Sequence, residues 1–498
     1  MSTVAPNQIE PPLILSLDVG TSSVRTIVFD RLGRAVEGLE AHQTHEIHTT
    51  TEGASEVDPD ILLELVWRCI DCVLAQPSPL TSQITGVAAC TFVGNILGVD
   101  KDGQAITPIV TYADTRAGGE VAGLRAEFNE AEVHNRTGCH FHPSYWPAFL
   151  RWFSANQPDL FRRVGRWLTI GEYLESKLFG EAAITYSVAS WTGLLNRHRL
   201  VWDEILLTAL PVRIDQLSSL TDVNSPRRDL RPEFATRWPA LREVPWFPAV
   251  GDGAAANIGS GCISSKRVAL TMGTTTALRT VTVNPVQHVP EGLWCYRVDH
   301  RRSLPGGALS EGGSVYAWMK GALKLQESAN IEEALATSEP DAHGLTVLPF
   351  LAGERSPGWA GHARATIHGL SLATTSKDIL RAGLEAVAYR IGLVFELLRQ
   401  LLPDTPEVIA SGGALLNSPA WIQIVTDVLG QPVRISEVEE SSARGVALLA
   451  LEALGVLKDL KEVPDFVGRV FSPSPAHHER YRKAMDRQKR LYVKLIKG

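Results

Sequence analysis

The sequence predicts an α/β protein with two similar domains that face each other across a central cleft. The chain has 498 residues, which exceeds the size of one ordinary domain. Short apolar runs typical of strands alternate with stretches of helical periodicity. A strand–turn–strand pattern near residue 20 returns near residue 273, about half the chain later. Internal similarity at that period indicates a duplicated domain.

The first copy of the pattern lies at the start of the chain. Residues 13–17 (LILSL) predict a buried strand, and 20–23 (GTSS) predict a tight turn. Residues 24–30 (VRTIVFD) predict the returning strand, and 35–39 predict the beginning of a third.

A helix and further strands follow this first hairpin. Residues 58–75 predict a helix, because Asp58 is a good N-cap and Pro59 suits the first helical position. Further elements are expected as strands over 84–90 and 95–99 and a largely helical segment over 158–178.

The second copy of the pattern begins with the apolar run 268–272 (VALTM). It continues through the turn 273–276 (GTTT) into a strand over 277–283 (ALRTVTV). As in the first copy, an arginine follows in the returning strand. The remaining predicted elements are a strand over 408–410 and helices over 418–429 and 441–454.

Composition excludes several classes of protein. The chain is 44% hydrophobic and 21% charged, with a net charge of -7 and no block of basic residues, so nucleic-acid binding is not expected. No apolar run approaches the roughly 20 residues of a membrane helix, and the first dozen residues lack the pattern of a signal peptide. We therefore expect a cytoplasmic protein without membrane or nucleic-acid partners, whose six cysteines stay reduced.

The first turn has the chemistry of a phosphate-binding loop. Gly20 permits a tight turn, and the hydroxyls of Thr21 and Ser22 with the charge of Arg25 suit phosphate oxygens. Asp18, at the end of a buried strand, suits Mg²⁺ held through water. A plain hairpin turn remains the alternative, but the second copy at Gly273 and Thr274 favours two loops that grip one phosphate chain.

Two further glycine-rich segments are candidates for function. Asp252 lies between Gly251 and Gly253 after an apolar run, where it suits a general base for a hydroxyl or, alternatively, a helix N-cap. The same segment matches the GxGxxA dinucleotide fingerprint, but no acid follows at the expected spacing. The other segment is Ser411-Gly412-Gly413, with Asn417 close behind. Its glycines let a base or ribose lie against the backbone, although a simple strand-to-helix turn is an alternative.

Together these segments resemble the FGGY family of carbohydrate kinases, in order and spacing over roughly residues 12–455. The matching pieces are LDVGTSSVR at 17–25, TYADTR at 111–116, GDGAAANIGSG at 251–261, TMGTTTALR at 271–279, GGALSEGGSVYAW at 306–318, FLAGERSPGW at 350–359, SGGALLNSPAWIQIVTDVLGQPV at 411–433 and ARGVALLAL at 443–451. The resemblance implies the actin-like ATPase fold, in which two ribonuclease-H-like domains are hinged around the cleft. We expect the N-terminal domain, with the sugar side, to span 1–258 and the nucleotide-side domain to span 259–498.

The resemblance also implies an ATP- and Mg²⁺-dependent transfer of the γ-phosphoryl group to a sugar or polyol hydroxyl. Asp252 matches the catalytic base and Asp18 the magnesium-associated acid. The nucleotide and its phosphates are expected at Gly20, Thr21, Ser22, Arg25, Gly273, Thr274, Gly313, Gly412, Gly413 and Asn417. The sugar is expected at Asp252, Asp114 and Arg116, and at Asn95 and Tyr145.

Within the family the chain most resembles gluconokinase-type members, which implies gluconate as the substrate. Three positions, however, depart from that branch. Gly94 stands where a histidine is usual, Phe149 where a lysine is usual, and Glu311 where an asparagine is usual. The first two remove donors for a hydroxyl or carboxylate. D-xylulose or D-ribulose is therefore an alternative substrate, and a non-catalytic nucleotide- and sugar-binding sensor is an alternative of another class. A homodimer is a further expectation.

Overall fold

The computed structural model describes residues 2–325 and 331–498, so Met1, the first residue of the predicted N-terminal domain, lies outside the described residues. The strands are β1 Thr3–Val4, β2 Leu13–Val19, β3 Ser23–Phe29, β4 Ala35–Thr44, β5 His48–Thr49, β6 Ser55–Val57, β7 Ile84–Thr91, β8 Leu97–Val99, β9 Ile109–Val110, β10 Arg166–Leu168, β11 Ala183–Thr185, β12 Leu195–Asn196, β13 Val201–Trp202, β14 Ser219–Thr221, β15 Trp246–Gly251, β16 Arg267–Met272, β17 Thr276–Thr280, β18 Trp294–Arg297, β19 Ser303–Leu309, β20 Thr346–Leu348, β21 Thr366–His368, β22 Glu407–Ser411, β23 Val433–Ser436 and β24 Val467–Phe471.

The α-helices are α1 Pro59–Leu74, α2 Glu120–Glu127, α3 Glu130–Thr137, α4 Trp146–Asn156, α5 Pro158–Arg163, α6 Ile170–Phe179, α7 Tyr186–Ser190, α8 Glu204–Leu207, α9 Pro232–Arg237, α10 Asp252–Gly259, α11 Gly313–Ala322, α12 Ile331–Thr337, α13 Ser376–Arg399, α14 Gly413–Leu416, α15 Pro419–Leu429, α16 Ser441–Ala453 and α17 Pro475–Tyr492. Among the described residues, no helix has the length and apolarity needed to span a lipid bilayer.

Each half of the chain builds one large mixed sheet. The order in the first is β1-β4-β3-β2-β7-β15, and in the second it is β18-β19-β17-β16-β22-β23-β24. In the first sheet β4, β3 and β2 are antiparallel, and β7 and β15 continue parallel to β2. The second repeats this with β19, β17 and β16 antiparallel and β22 and β23 parallel. The internal repeat in the sequence is therefore a repeat of topology.

Two helices join the halves at the back of the cleft. Helix α10 directly follows β15 of the first sheet, whereas α16 comes from the C-terminal half and lies against that same sheet. Ser16 of β2 donates its hydroxyl hydrogen bond to the carbonyl of Ala443 in α16, with 2.8 Å between the oxygens. A side chain at Gly445 would meet the Ala255 carbonyl at 1.9 Å, so the two helices cross backbone to backbone.

Most predicted elements are confirmed, and one is wrong. The helix expected over 158–178 is split into α5 and α6 by strand β10. That strand pairs antiparallel with β8, Trp167 opposite Gly98, and its central side chain is fully buried in an apolar cluster. A pairing partner almost 70 residues distant outweighed the local helical periodicity. The strand predicted over 95–99 is shorter, since Asn95 precedes β8.

Candidate active site

Three strands of the first sheet end together at the edge that faces the second half. β2 and β7 pair in register, with Asp18 opposite Cys90. β7 and β15 pair likewise, with Thr91 opposite Gly251, the residue before Asp252. The carboxyl ends of neighbouring parallel strands form the usual ligand crevice of α/β sheets. The register therefore brings the two predicted acids, which are 234 positions apart, to one edge.

Asp18 is a buried acid with spare acceptor capacity. Burial raises its pKa to about 6, and the Cys90 thiol opposes the shift by donating to Oδ1 from 3.3 Å. Among the described residues this thiol is its only side-chain partner. A thiol is a weak donor, so the carboxylate keeps lone pairs that suit a magnesium-bound water. The donor chemistry at Asp18 thus fits the ion that the family implies.

Asp252 begins α10, and Gly251 rather than Asp252 is the N-cap of that helix. Its Oδ1 accepts the backbone N–H of Gly253 at 2.7 Å. Burial raises its pKa to about 6, although the nearby Arg279 guanidinium lowers it. Arg279 itself comes from β17 of the second sheet and donates to the Gly253 carbonyl at 2.7 Å. A carboxylate with a pKa near neutrality is well matched to general-base work.

The first turn (Gly20–Ser22) connects β2 to β3. It closes with a hydrogen bond from Gly20 N to Ser23 O at 2.9 Å, while His45 donates from Nε2 to Gly20 O at 3.0 Å. Thr21 is half-buried and Ser22 is exposed, so their hydroxyls can be reached. Arg25 follows in β3 and pairs with Glu440 at 2.7 Å. Part of the cationic charge expected for phosphate is therefore compensated from the other half of the chain.

The second turn (Gly273–Thr275) connects β16 to β17 in the same way. Gly273 N donates to Thr275 O at 3.0 Å, and Gly313 N at the start of α11 donates to Gly273 O at 2.8 Å. Thr274 and Thr275 are exposed, and nothing lies within 4 Å of the position a Cβ would take at Gly273. The backbone of this turn is thus open to a ligand on the cleft side.

The glycines predicted for the nucleotide converge behind the second turn. Gly412 has φ of 95°, and a Cβ there would lie 2.4 Å from the Met272 carbonyl, so only glycine fits. A Cβ at Gly313 would lie 2.7 Å from Cβ of Ala414, whereas Gly413 is open apart from Asn417 Nδ2 at 3.9 Å. The structure gathers Gly273, Gly313, Gly412, Gly413 and Asn417 into one glycine-walled surface, which fits a bound nucleotide.

The predicted sugar-side residues are placed less favourably. Asp114 is buried and binds the Arg116 guanidinium, Oδ2 to Nη2 at 2.6 Å, and the backbone N–H of Ser55 at 3.0 Å. Arg116 also pairs with Glu56 at 2.5 Å. The pair forms part of a closed ionic network, so any contact with substrate would have to share these atoms. A direct role for Asp114 and Arg116 stays a prediction.

Asn95 and Tyr145 are also occupied within the protein. Asn95 is fully buried, donates from Nδ2 to Phe92 O at 2.6 Å and accepts the Ile170 N–H at Oδ1 at 2.9 Å. The Tyr145 hydroxyl is buried and lies 2.5 Å from that of Tyr296. These contacts describe a structural amide and a tyrosine pair between the halves, and a direct contact of Asn95 or Tyr145 with substrate stays a prediction.

The unusual positions in the sugar-side segment have steric explanations. Gly94 has φ of 66°, and a Cβ there would lie 3.0 Å from Cβ of Tyr112. Phe149 is buried in an apolar cluster. Neither position can present a cationic or imidazole group to the cleft without rearrangement. Tyr112 is 40% exposed and is the aromatic side chain that this segment offers to a ligand.

Sequence reasoning missed four residues around the site. His45 and Glu440 hold the first turn and its arginine, and each comes from a distant segment. Glu311 is 2% exposed with no partner for either carboxylate oxygen among the described residues, and burial raises its pKa to about 8. Arg355, in the FLAGERSPGW segment, has a buried Nε that meets no partner in the described part of the chain. The sequence marked Glu311 as unusual and placed Arg355 within the FLAGERSPGW segment without a role, and it gave no signal for His45 and Glu440.

Two alternative interpretations lose their support. A Cβ at Gly253 would lie 2.9 Å from Arg279 Nη1 and 3.3 Å from the Trp191 ring, so this glycine lies in close contact with side chains, and the GxGxxA match needs no dinucleotide to explain it. Cys69 and Cys72 have the CxxC spacing found in some metal sites, but Cys69 is buried in α1 and Cys72 is exposed on it, as expected for a core helix.

Comparison with known proteins agrees with this architecture. The N-terminal domain of the FGGY family of carbohydrate kinases matches residues 13–259, and its C-terminal domain matches residues 268–454. A gluconokinase of Bacillus subtilis (strain 168) is 27% identical over 93% of this chain and 91% of its own length. Glycerol kinase 1 of Pseudomonas aeruginosa is 30% identical over 90% of this chain and 92% of its own.

The fold is equally well matched. The ligand-bound xylulose kinase of Lactobacillus acidophilus superposes with a TM-score of 0.90, at 24% identity, over 97% of this chain and 98% of the other. The predicted pair of ribonuclease-H-like domains with the actin-like ATPase fold is confirmed. The chain belongs to the FGGY family of carbohydrate kinases, as its repeated turns and paired strand-end acids indicated.

Proposed function

We propose that this kinase transfers the γ-phosphoryl group of ATP to a hydroxyl of a sugar acid, with D-gluconate as the first candidate. The proposal rests on one observation above all. Asp252 lies at the carboxyl edge of the first sheet, beside the strand end that carries Asp18, and its pKa is about 6. That placement and acidity suit a base that takes a hydroxyl proton at neutral pH. The gluconokinase of B. subtilis supports the choice of substrate.

The residues divide the work of phosphoryl transfer, which depends mainly on positioning and charge neutralisation. Asp252 accepts the proton of the acceptor hydroxyl. The first turn, with Thr21 and Ser22, and the second, with Gly273 and Thr274, donate N–H and O–H groups to the phosphate chain. The glycine-walled surface at Gly313, Gly412 and Gly413, with Asn417, holds the nucleoside.

Mg²⁺, when bound through water at Asp18, neutralises charge on the phosphates. The acceptor capacity that the Cys90 thiol leaves free on the Asp18 carboxylate supports that assignment. Arg25 contributes to the same region only with the charge that Glu440 leaves uncompensated.

A ketopentose such as D-xylulose or D-ribulose is the second candidate. Gly94 and Phe149 favour it, since neither offers the donor that the gluconokinase branch has at these positions. The xylulose kinase of L. acidophilus shares the fold. A non-catalytic sensor is a weaker candidate, because a chain without turnover would have no need to keep Asp252.

The test is ADP release with ATP, Mg²⁺ and one acceptor at a time. The acceptors are D-gluconate, D-xylulose, D-ribulose, L-ribulose, sedoheptulose and glycerol. We expect turnover with D-gluconate, and its loss in the Asp252→Asn variant, which keeps the volume of the side chain. Turnover with a ketopentose instead would establish the second candidate. No turnover with any acceptor, while ATP still binds, would favour the sensor, and equal activity in the variant would remove Asp252 as the base.

The other expectations from the sequence stay predictions. They are the domain limits 1–258 and 259–498, a homodimer, a cytoplasmic location and the lack of nucleic-acid and membrane partners.

A further inference from the structure

The loop Glu354–Trp359 is held rigidly on both sides of Arg355. Glu354 is 1% exposed, binds the Arg390 guanidinium and accepts the Tyr492 hydroxyl at 2.6 Å. Ser356 is fully buried and joins β19, with Ser356 N donating to Ala308 O at 2.9 Å. Because its two neighbours are fixed, the backbone of Arg355 has one position.

This loop reaches from the second half to the first. Trp359 packs its ring against His140 and His142, with centroid distances of 4.9 and 5.5 Å. Its Nε1 donates to Gly292 O at 3.1 Å. His140 and His142 precede Tyr145 in the segment expected to face the sugar. Arg355 therefore lies where the second half meets the sugar side of the first.

The Arg355 guanidinium has no ion pair and no hydrogen bond with any residue in 2–325 or 331–498, and its Nε is buried. The adjacent acid, Glu354, is already bound to Arg390 and Tyr492. Arg355 is half-buried, and a charged group that loses part of its hydration without gaining a partner carries a free-energy cost that sites for ionic ligands accept. Arginine presents a planar fork of donors that matches an oxyanion.

The side chains around Arg355 leave its charge uncompensated. Burial lowers the pKa of His142 to about 3 and raises that of Tyr112, and the charge of Arg355 lowers both. Burial also raises the pKa of Tyr145 and Tyr296, and that of Glu311 to about 8. All five groups are neutral near pH 7. Arg279, whose pKa is lowered by burial and by the charge of Arg355, is a second cation nearby.

We propose that Arg355 is the residue of the cleft that binds an oxyanion of the ligand, and that this oxyanion is the carboxylate of a sugar acid. The inference rests on the proposed function and names the residue that would select its substrate class. The γ-phosphoryl group of ATP has the same chemistry. The carboxylate is favoured because the loop faces His142 and Tyr112, whereas the phosphates have their own two turns. Arg355 would also supply the cation that Gly94 and Phe149 do not.

The test compares a sugar acid with its neutral counterpart. Arg355→Gln, Arg355→Lys and the surface control Arg162→Gln are assayed for kcat and KM with D-gluconate, D-glucitol and D-xylulose, and for sugar-independent ATP hydrolysis. For a carboxylate site we expect Arg355→Gln to raise the KM for D-gluconate by about tenfold or more, since a charge-assisted hydrogen bond contributes roughly 1.5–3 kcal/mol. The values for neutral acceptors and for ATP should stay near those of the wild type, and Arg355→Lys should be intermediate.

Other outcomes separate the sources and the two proposals. A fall in kcat with every acceptor, together with slower ATP hydrolysis, would assign Arg355 to the phosphoryl group and overturn the carboxylate. Unchanged constants in a folded Arg355→Gln variant would overturn oxyanion binding altogether. Wild-type turnover on any acceptor upholds the kinase function whatever the variants do. If the wild type turned over nothing, calorimetric titration of D-gluconate and of ATP into wild type and variant would still decide the role of Arg355.

Discussion

The two turns of this kinase share a backbone and differ in the side chains around them. In each, a buried strand leads into a glycine, and the residue two positions before that glycine lies next to the last residue of the strand. In the first half this residue is Asp18, and in the second half it is Thr271. The Thr271 and Ser411 hydroxyls share a hydrogen bond, with 3.1 Å between the oxygens, whereas Asp18 accepts a hydrogen bond from the Cys90 thiol.

The difference indicates a division of labour after duplication. The first half brings two acids, Asp18 and Asp252, to its strand ends, and these are groups that can hold a cation and move a proton. The second half brings hydroxyls and glycines to the equivalent edge, and these suit the close approach of an anionic nucleotide. A second acidic edge would repel the phosphate chain without adding to the chemistry.

The arginines that follow the turns cross between the halves in opposite directions. Arg25 of the first half pairs with Glu440 of the second, and Arg279 of the second donates to Gly253 O of the first. Each half thus fixes an element of the other, which keeps both strand-end clusters in one orientation.

The largest difference between the two halves is expected when the polar group at each of the equivalent positions is removed. Asp18→Asn removes the anionic charge that we assign to the magnesium-bound water, and we expect a fall in kcat/KM of about 10²-fold or more. Thr271→Val, the matched change in the second half, removes one neutral hydrogen bond worth about 1 kcal/mol, with kcat within a few-fold of wild type. ADP-release kinetics over a range of Mg²⁺ concentrations measures both. Equal losses in the two variants would contradict the division of labour.

The pH profile of the reaction sharpens the comparison further. Burial raises the pKa of Asp252 to about 6, and a general base must be ionised to accept a proton. We therefore expect kcat/KM to fall below about pH 6, by roughly tenfold per pH unit if only Asp252 must be ionised and by up to roughly a hundredfold if Asp18 must be ionised as well. Asp18 titrates in the same range, so the limb reports the pair rather than one residue. An activity that stayed flat down to pH 4.5 would contradict the assignment.

Glu311, a buried acid of the second half whose carboxylate oxygens have no partner among the described residues, behaves differently, and the effect of replacing it should be smallest. Glu311 has a folded-state pKa of about 8 against an ordinary value of 4.5. Between these values the unfolded chain is ionised while the folded protein keeps the proton, so stability falls as pH rises through this window. Glu311→Gln removes this loss of stability. Its Tm should therefore exceed that of the wild type by an amount that grows from pH 5 to pH 8 and reaches about a few degrees.

Thermal unfolding of wild type and Glu311→Gln at both pH values checks this expectation. Arg162→Gln serves as the surface control, because Arg162 and its partner Asp159 are both exposed and the pair contributes little to stability. A stability difference that did not change with pH would show that Glu311 is ionised in the folded protein.

Local patterns in the sequence were sufficient to predict the fold and part of the candidate site. The repeated strand–turn–strand pattern is a property of neighbouring residues, and it predicted the two sheets. The acids at 18 and 252 were recognisable because each ends an apolar strand. The helix predicted over 158–178 was wrong because β10 depends on pairing with β8, a strand far away in the chain, and local periodicity carries no information on such a partner.

The rest of the site depends on contacts that no local pattern contains. Glu440 reaches Arg25 only because α16 crosses back to the first sheet. Asn95 is predicted to contact the substrate, but its side-chain carbonyl oxygen already accepts a hydrogen bond from the N–H of Ile170. Arg355 became a candidate only when the structure showed that no acid of the described chain meets it.

We propose a division of labour in which the first half performs the chemistry while the second half holds the nucleotide. Its most direct test is a titration of ATP and an assay of ADP release on the same preparation of Asp252→Asn. We predict that the variant binds ATP within about threefold of wild type, while turnover falls by roughly 10²–10⁴-fold, the usual contribution of a general base. Turnover near the wild-type rate would contradict the account, and so would a loss of ATP binding that matched the loss of turnover.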